Sequence, residues 1–160
     1  MKKIEFDIIF KDAIINEFYS VLTENGESVE IVKWNCKGDF PILGVIFDGD
    51  TDDACFYNKK GISACGDKIY IVPKDNSFKS FLKWVIKQAC LLAKDGVDED
   101  KIDTTIDSII EKYLVVLLKC AVGLTIMERR KNETATNYLL RCLSPELRDV
   151  WYEACDEMKE

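Results

Sequence analysis

The chain contains no histidine. That absence takes the usual residue away from Ser-His-Asp and Cys-His nucleophile activation, from imidazole base catalysis and from His-ligated metal sites. Proline is scarce, at three residues, and arginine is absent ahead of Arg129. The seven cysteines (Cys36, Cys55, Cys65, Cys90, Cys120, Cys142 and Cys155) include no CxxC or similar pair, so zinc-knuckle spacing is missing. Their odd number fits free, mostly buried thiols in a reducing cytoplasm better than a disulfide framework. Long apolar runs are missing as well. The longest, Tyr113 to Met127, is broken by Lys119 and falls short of the roughly 20 residues a membrane span needs. Behind Met1-Lys2-Lys3, the charges of Glu5, Asp7 and Lys11 interrupt any apolar stretch, so an export signal is not expected.

What is present is an ordinary globular composition, 160 residues with 48% hydrophobic and 32% charged. The net charge of −7 is unevenly spread. Residues 1–75 carry nine lysines and fourteen acids, net −5; residues 76–160 carry thirteen basic and fifteen acidic groups, net −2. A chain this acidic is poorly suited to coating a phosphate backbone, and duplex nucleic acid is not an expected partner.

The hydrophobic period changes near Pro73, which predicts an α+β protein: a small antiparallel β module over 1–74, then a helical region of about four helices over 76–160. In the front half, Ile4 to Ile8 alternates apolar and acidic residues as a half-buried strand does. Phe18–Thr23 and Val29–Trp34 flank Asn25-Gly26, a hairpin signature, and argue against a helix over Asp12–Leu22. Turns at Lys37-Gly38-Asp39, Asp48-Gly49-Asp50 and Asn58–Gly61 separate Pro41–Phe47, Ala54–Tyr57 and Lys68–Val72. Gly44, inside a strand, marks a bulge or a close backbone approach. About six short strands of this kind suggest a curled sheet or a small barrel.

In the rear half, Asn76 or Ser77 can cap a helix with an apolar stripe from Phe78 to Leu92, stopped by Asp95-Gly96. A longer helix is expected from about Asp100, its positive end met by Asp98, Glu99 and Asp100. It would carry the Tyr113–Met127 run and close on Arg129-Arg130-Lys131 at its negative end. A helix apolar on all sides must be covered all round, either within the chain or by a second copy, so a homodimer through the helical region is one expectation. Helices over Glu133–Leu143 and from Pro145, capped by Ser144, complete the chain.

The front half resembles a small β module, without assigned chemistry, known from proteins of gut Bacteroidetes, many of them carried by prophages and other mobile elements. Phe6-Asp7-Ile8, Tyr19–Thr23, Gly26–Ile31, Trp34, Lys37-Gly38, Phe40-Pro41-Ile42, Gly44-Val45-Ile46, Tyr57, Gly61 and Asp67–Val72 carry the likeness. It covers roughly residues 4–73, and Glu17 stands where that module has a glycine before its Phe-Tyr pair. The likeness implies a cytoplasmic setting on mobile DNA more than it implies an activity.

Three features invite a functional reading. Asp48, Asp50 and Asp52 open like a calcium loop, but the sixth position is Asp53 and the twelfth Lys59, so the ligand list is incomplete. A solvated hairpin loop is the expectation, with no metal or other cofactor. Lys79, Lys83 and Lys87 form a helical stripe beside Trp84, which could grip an acidic partner or single-stranded nucleic acid and is also the ordinary wet face of a helix. Trp34, Lys37 and Phe40 are the corresponding partner-binding candidates of the β module. No set of nucleophile, base and oxyanion donors can be assembled, and none of the cysteines sits at an expected helix start. A non-catalytic protein-interaction role is therefore expected, ahead of an acidic mimic of nucleic acid that blocks a defence or replication protein, and ahead of a carboxylate-based enzyme.

Overall fold

The computed structural model describes residues 3–74, 77–94, 101–120 and 125–158, apart from the side chains of Asp48, Ala93 and Lys94. The chain divides into two compact units, Met1–Ser77 and Phe78–Glu160. It is an α+β protein with one six-stranded antiparallel sheet, not closed into a barrel.

The first unit holds β1 (Ile4–Glu5), a 3-10 turn (Ile8–Phe10), α1 (Lys11–Ile15), β2 (Tyr19–Thr23), β3 (Ser28–Lys33), β4 (Ile42–Asp48), β5 (Thr51–Tyr57) and β6 (Ile69–Pro73). Their order across the sheet is β1-β6-β2-β3-β4-β5. Directly paired residues share a face, so Val21, Val29 and Ile71 line one side together, with Tyr19, Ile69, Ile42 and Tyr57. All seven are buried, as are Phe6, Phe10 and Ala13 of the preceding segment.

The alternating reading of Ile4–Ile8 is corrected. Only Ile4 and Glu5 pair as a strand, and Phe6 and Asp7 are both buried. Asp7 caps the 3-10 turn through a bond from the Ile9 N–H, at 3.2 Å, and pairs with Lys60. An Asp at this position competes with strand pairing by binding its own backbone. The rejection of helix between Asp12 and Leu22 is also corrected in part: α1 occupies Lys11–Ile15, while Tyr19–Thr23 is strand. The helix ends in a Schellman motif. The Phe18 N–H reaches the Ala13 carbonyl and the Glu17 N–H reaches Ile14, both at 3.0 Å. Glu17 takes a left-handed φ of 60° there, the position that glycine ordinarily fills.

Gly44 is a close approach, not a bulge. A Cβ there would lie 2.8 Å from Val29 Cγ1 and 3.2 Å from the Tyr57 ring. The bulge falls opposite, between Ile31 and Lys33 of β3.

The second unit holds α2 (Ser77–Lys94, whose first residue belongs to the first unit), α3 (Ile102–Cys120), α4 (Ala135–Cys142) and α5 (Pro145–Glu157). The Asn76 cap, the Asp95-Gly96 stop and the acids Asp98, Glu99 and Asp100 lie outside the described residues. In α2, Phe81, Leu82, Val85, Ile86 and Ala89 are buried, and each large apolar side chain contributes about 1.5–3 kcal/mol. Ser144 caps α5 through the Leu147 N–H with Pro145 in its first turn, an arrangement worth about 1 kcal/mol.

The continuous Tyr113–Met127 helix is overturned. The helix α3 is described as far as Cys120, and Thr125–Arg130 has no regular structure. Nor is α3 apolar all round. Thr104, Ser108, Glu111, Lys112, Val115 and Lys119 form one exposed stripe, and Val115 is 54% exposed. The apolar run hid a wet position between two charges at i−4 and i+4. Ile126 and Met127 are exposed as well.

Candidate functional site

A groove of the first unit arises from unequal strand pairing. Next to the Asn25-Gly26 turn, β2 and β3 pair at Val21↔Val29 and Leu22↔Ser28 only. Beyond those pairs the partners diverge. Tyr19 and Ser20 stay in register with β6, while Glu30 and Ile31 stay in register with β4. The fork holds a groove of about 540 Å³ lined by Ile14, Ile15, Val21, Val29, Ile31, Trp34 and Phe47, with Glu17, Glu30 and Lys74 also along it. Ile15 and Phe47 are 53% and 43% exposed, unusually wet for large apolar side chains grouped around one concavity.

Trp34 is positioned at the end of β3 by a stacked contact with Phe6, ring centroids 6.2 Å apart and planes 14° apart. One side of its indole is thus fixed by a buried residue. Lys37 is exposed and Phe40 half-buried, both in the loop leading to β4. Of the three β-module candidates, only Trp34 lines the groove.

The aspartates belong to the β4–β5 hairpin. Asp48 ends β4 and pairs with Thr51, Asp50 sits in the two-residue turn, and Asp52 lies in β5 opposite Phe47. Asp50, Asp52 and Asp53 are exposed. Strand alternation turns Asp52 and Asp53 to opposite faces, so they do not converge on a common point. Among the described residues, no three His, Cys, Asp or Glu side chains are grouped to hold a metal ion.

In the second unit the lysine stripe is engaged within the unit. Lys83 Nζ lies 2.6 Å from Glu157 Oε1 and Lys87 Nζ lies 3.1 Å from Glu157 Oε2. These pairs hold the Glu157 carboxyl below the usual carboxylate range and push the Lys83 ammonium up. Lys79 is exposed. Trp84 stacks on Phe81 at 6.0 Å and meets the edge of Tyr113 at 5.6 Å, which makes it a packing residue.

The cations expected at a helix end do different work. Arg129 grips Glu111 of α3 bidentately, at 2.9 and 2.8 Å, and its Nε donates to the Glu133 carbonyl at 3.2 Å. Arg141 of α4 grips Glu133, at 2.8 and 2.9 Å, and also donates to the Glu128 carbonyl. The Tyr138 hydroxyl donates to the Met127 carbonyl at 2.8 Å. Carbonyls of the 125–132 segment are thus satisfied by α4 side chains instead of a continuing helix. Periodicity gave no signal for this network, because the 125–130 segment that it ties down has no regular structure and so no period.

All seven cysteines are free, but only Cys120 and Cys142 are buried, and Cys65 is exposed. The expectation of mostly buried thiols is corrected accordingly. Among the described residues, no helix is long and apolar enough to cross a membrane. No protein-family model, no curated protein and no solved structure matches the chain.

Proposed function

We propose that this is a non-catalytic protein-interaction protein of mobile-element origin, acting in the cytoplasm through its β unit. The observation that carries the reading is the fork between β2 and β3. It leaves Ile15 and Phe47 wet around a groove with Trp34 held firm beside them. A rigid aromatic among exposed aliphatic groups is the usual anchor of a protein interface. The α2 lysines support the reading less, because Glu157 already engages two of them.

The test is affinity capture from host or phage-infected cells with the native chain and with Ile15→Glu and Phe47→Glu. Both residues are exposed, so the fold is retained. A partner recovered by the native chain should be lost by both variants, and equal recovery would refute a groove-mediated contact. An acidic mimic of nucleic acid is the second reading, supported by the exposed acids at the β4–β5 hairpin. Capture through charge mimicry should weaken steeply with ionic strength, whereas capture through the apolar groove should not.

A further inference from the structure

Strand β5 is last in the sheet order. Its ladder with β4 runs through seven consecutive pairs, Ile42↔Tyr57 to Asp48↔Thr51, without a shift in register. The connecting turn has two residues, Gly49 and Asp50, with Gly49 at φ 59° and Asp50 not at positive φ, the pattern of a II′ hairpin. In such a hairpin Asp48 and Thr51 are the closing hydrogen-bonded pair. Alternation then aims the backbone groups of Thr51, Asp53 and Cys55 at β4, and those of Asp52, Ala54 and Phe56 away from it. At the far end the Asn58 N–H reaches the Ile62 carbonyl and Tyr57 bridges Ser63, so the following loop covers the end of the strand. From Thr51 to Ala54 the edge is exposed. The outward groups of Asp52 and Ala54 have no hydrogen-bond partner among the described residues.

Sheet proteins ordinarily blunt such an edge with lysine, proline, a bulge or a very short strand. The opposite edge follows that rule, since β1 has two residues. The β5 edge has no lysine, proline or bulge and is seven residues long, and the one such device it carries is charge. Its only charges are Asp52 and Asp53, both acidic in a chain of net charge −7, and they oppose pairing with a second copy. Phe56, 49% exposed, shares a face with Asp52 and Ala54 and with the exposed Phe47 of β4.

We propose that β5 is a docking edge that takes an extended segment of a partner protein as a seventh strand, selected by charge. The segment carries adjacent basic residues opposite Asp52 and Asp53, one on each face, and an apolar residue beside Phe56. Backbone bonds to Asp52 and Ala54 supply the attachment, and the side chains supply the choice of partner. The groove lies toward β2 and β3 and shares only Phe47 with this face, so variants at Asp52, Asp53 and Ala54 test the edge alone.

The probe is a strand-length, end-blocked peptide with two adjacent lysines flanked by valines and a phenylalanine, compared with the same peptide bearing glutamates in place of lysines. Amide exchange is followed by NMR on the full chain. The lysine peptide should slow exchange at Asp52 and Ala54 and leave the already bonded Asp53 little changed. Ala54→Pro removes an outward donor while the inward bonds of Asp53 and Cys55 remain, and should weaken binding on the order of tenfold or more. The double variant Asp52→Lys with Asp53→Lys, surface-only, should transfer preference to the glutamate peptide, and it carries the test should Ala54→Pro fail to fold. Absence of binding, equal binding of both peptides, or protection centred on groove residues such as Glu30 would overturn the proposal.

Discussion

The Arg141 guanidinium clasps the Glu133 carboxylate with two nearly parallel bonds, Nε to Oε1 at 2.8 Å and Nη2 to Oε2 at 2.9 Å. Glu133 also accepts the Arg130 N–H at 2.9 Å, and its side chain is only 9% exposed. Bonds to the ionised form hold its pKa at about 2, led by Arg141 and then by the Arg130 backbone.

A pH dependence follows from that clasp. The folded pKa lies below the unfolded one, so the contribution of Glu133 is complete above the ordinary carboxylate range and declines from about pH 4.5 to about pH 2. Glu157, also held low, adds to the same slope. The thermal midpoint of the native chain should therefore fall more steeply between pH 5 and pH 2.5 than that of Glu133→Gln, as read by circular dichroism. Parallel curves would contradict the assignment.

The strained backbone at Glu17 makes a prediction of opposite sign. Glycine adopts a left-handed φ without a Cβ penalty, so Glu17→Gly should stabilise the first unit by about 1 kcal/mol despite the greater freedom of its unfolded chain. Urea unfolding measures this, and a loss of stability would show that the glutamate side chain contributes more than its backbone costs.

Gly61 combines two constraints. Its φ is 72°, and a Cβ would lie 2.7 Å from Phe6 Cβ and 2.8 Å from Ile69 Cγ1. Both neighbours are buried, and Phe6 Cβ cannot move without its backbone. Gly61→Ala should cost roughly 2–4 kcal/mol in the same urea experiment. A cost below about 1 kcal/mol would mean that the segment before β6 can readily rearrange.

The strands and turns were legible because a half-buried sheet imposes period two and tight turns demand particular residues. Ser144-Pro145 is found in the role its chemistry predicts, and Asn25-Gly26 does sit in the hairpin loop, but only Gly26 takes a positive φ there, at the end of a loop that begins at Glu24. Helix α1 is hidden by the hairpin beside it, which argues for strand over the whole of Asp12–Leu22, and by its own ending. The residue at its left-handed end is Glu17, so the usual glycine stop signal was missing. The extent of α3 was misread because hydrophobicity alone does not tell a buried valine from Val115, which shares a stripe with Glu111 and Lys119. The engagement of Lys83 and Lys87 depends on Glu157, seventy or more residues away along the chain. The groove was illegible in principle. The hairpin turn sets register near itself, and where two strands part company depends on which outer neighbour holds each one more firmly.

The place of β6 has a consequence for how the first unit is assembled. It is the last of the six strands to leave the ribosome, yet it is inserted between the first two, joining Ile71 to Ile4 and Ile69 to Thr23. The β2–β5 meander can form from neighbours in sequence, whereas closing the sheet across more than forty intervening residues is the slow, entropically costly step. A chain severed ahead of Ile69 retains that meander and loses the one strand that ties β1 to β2.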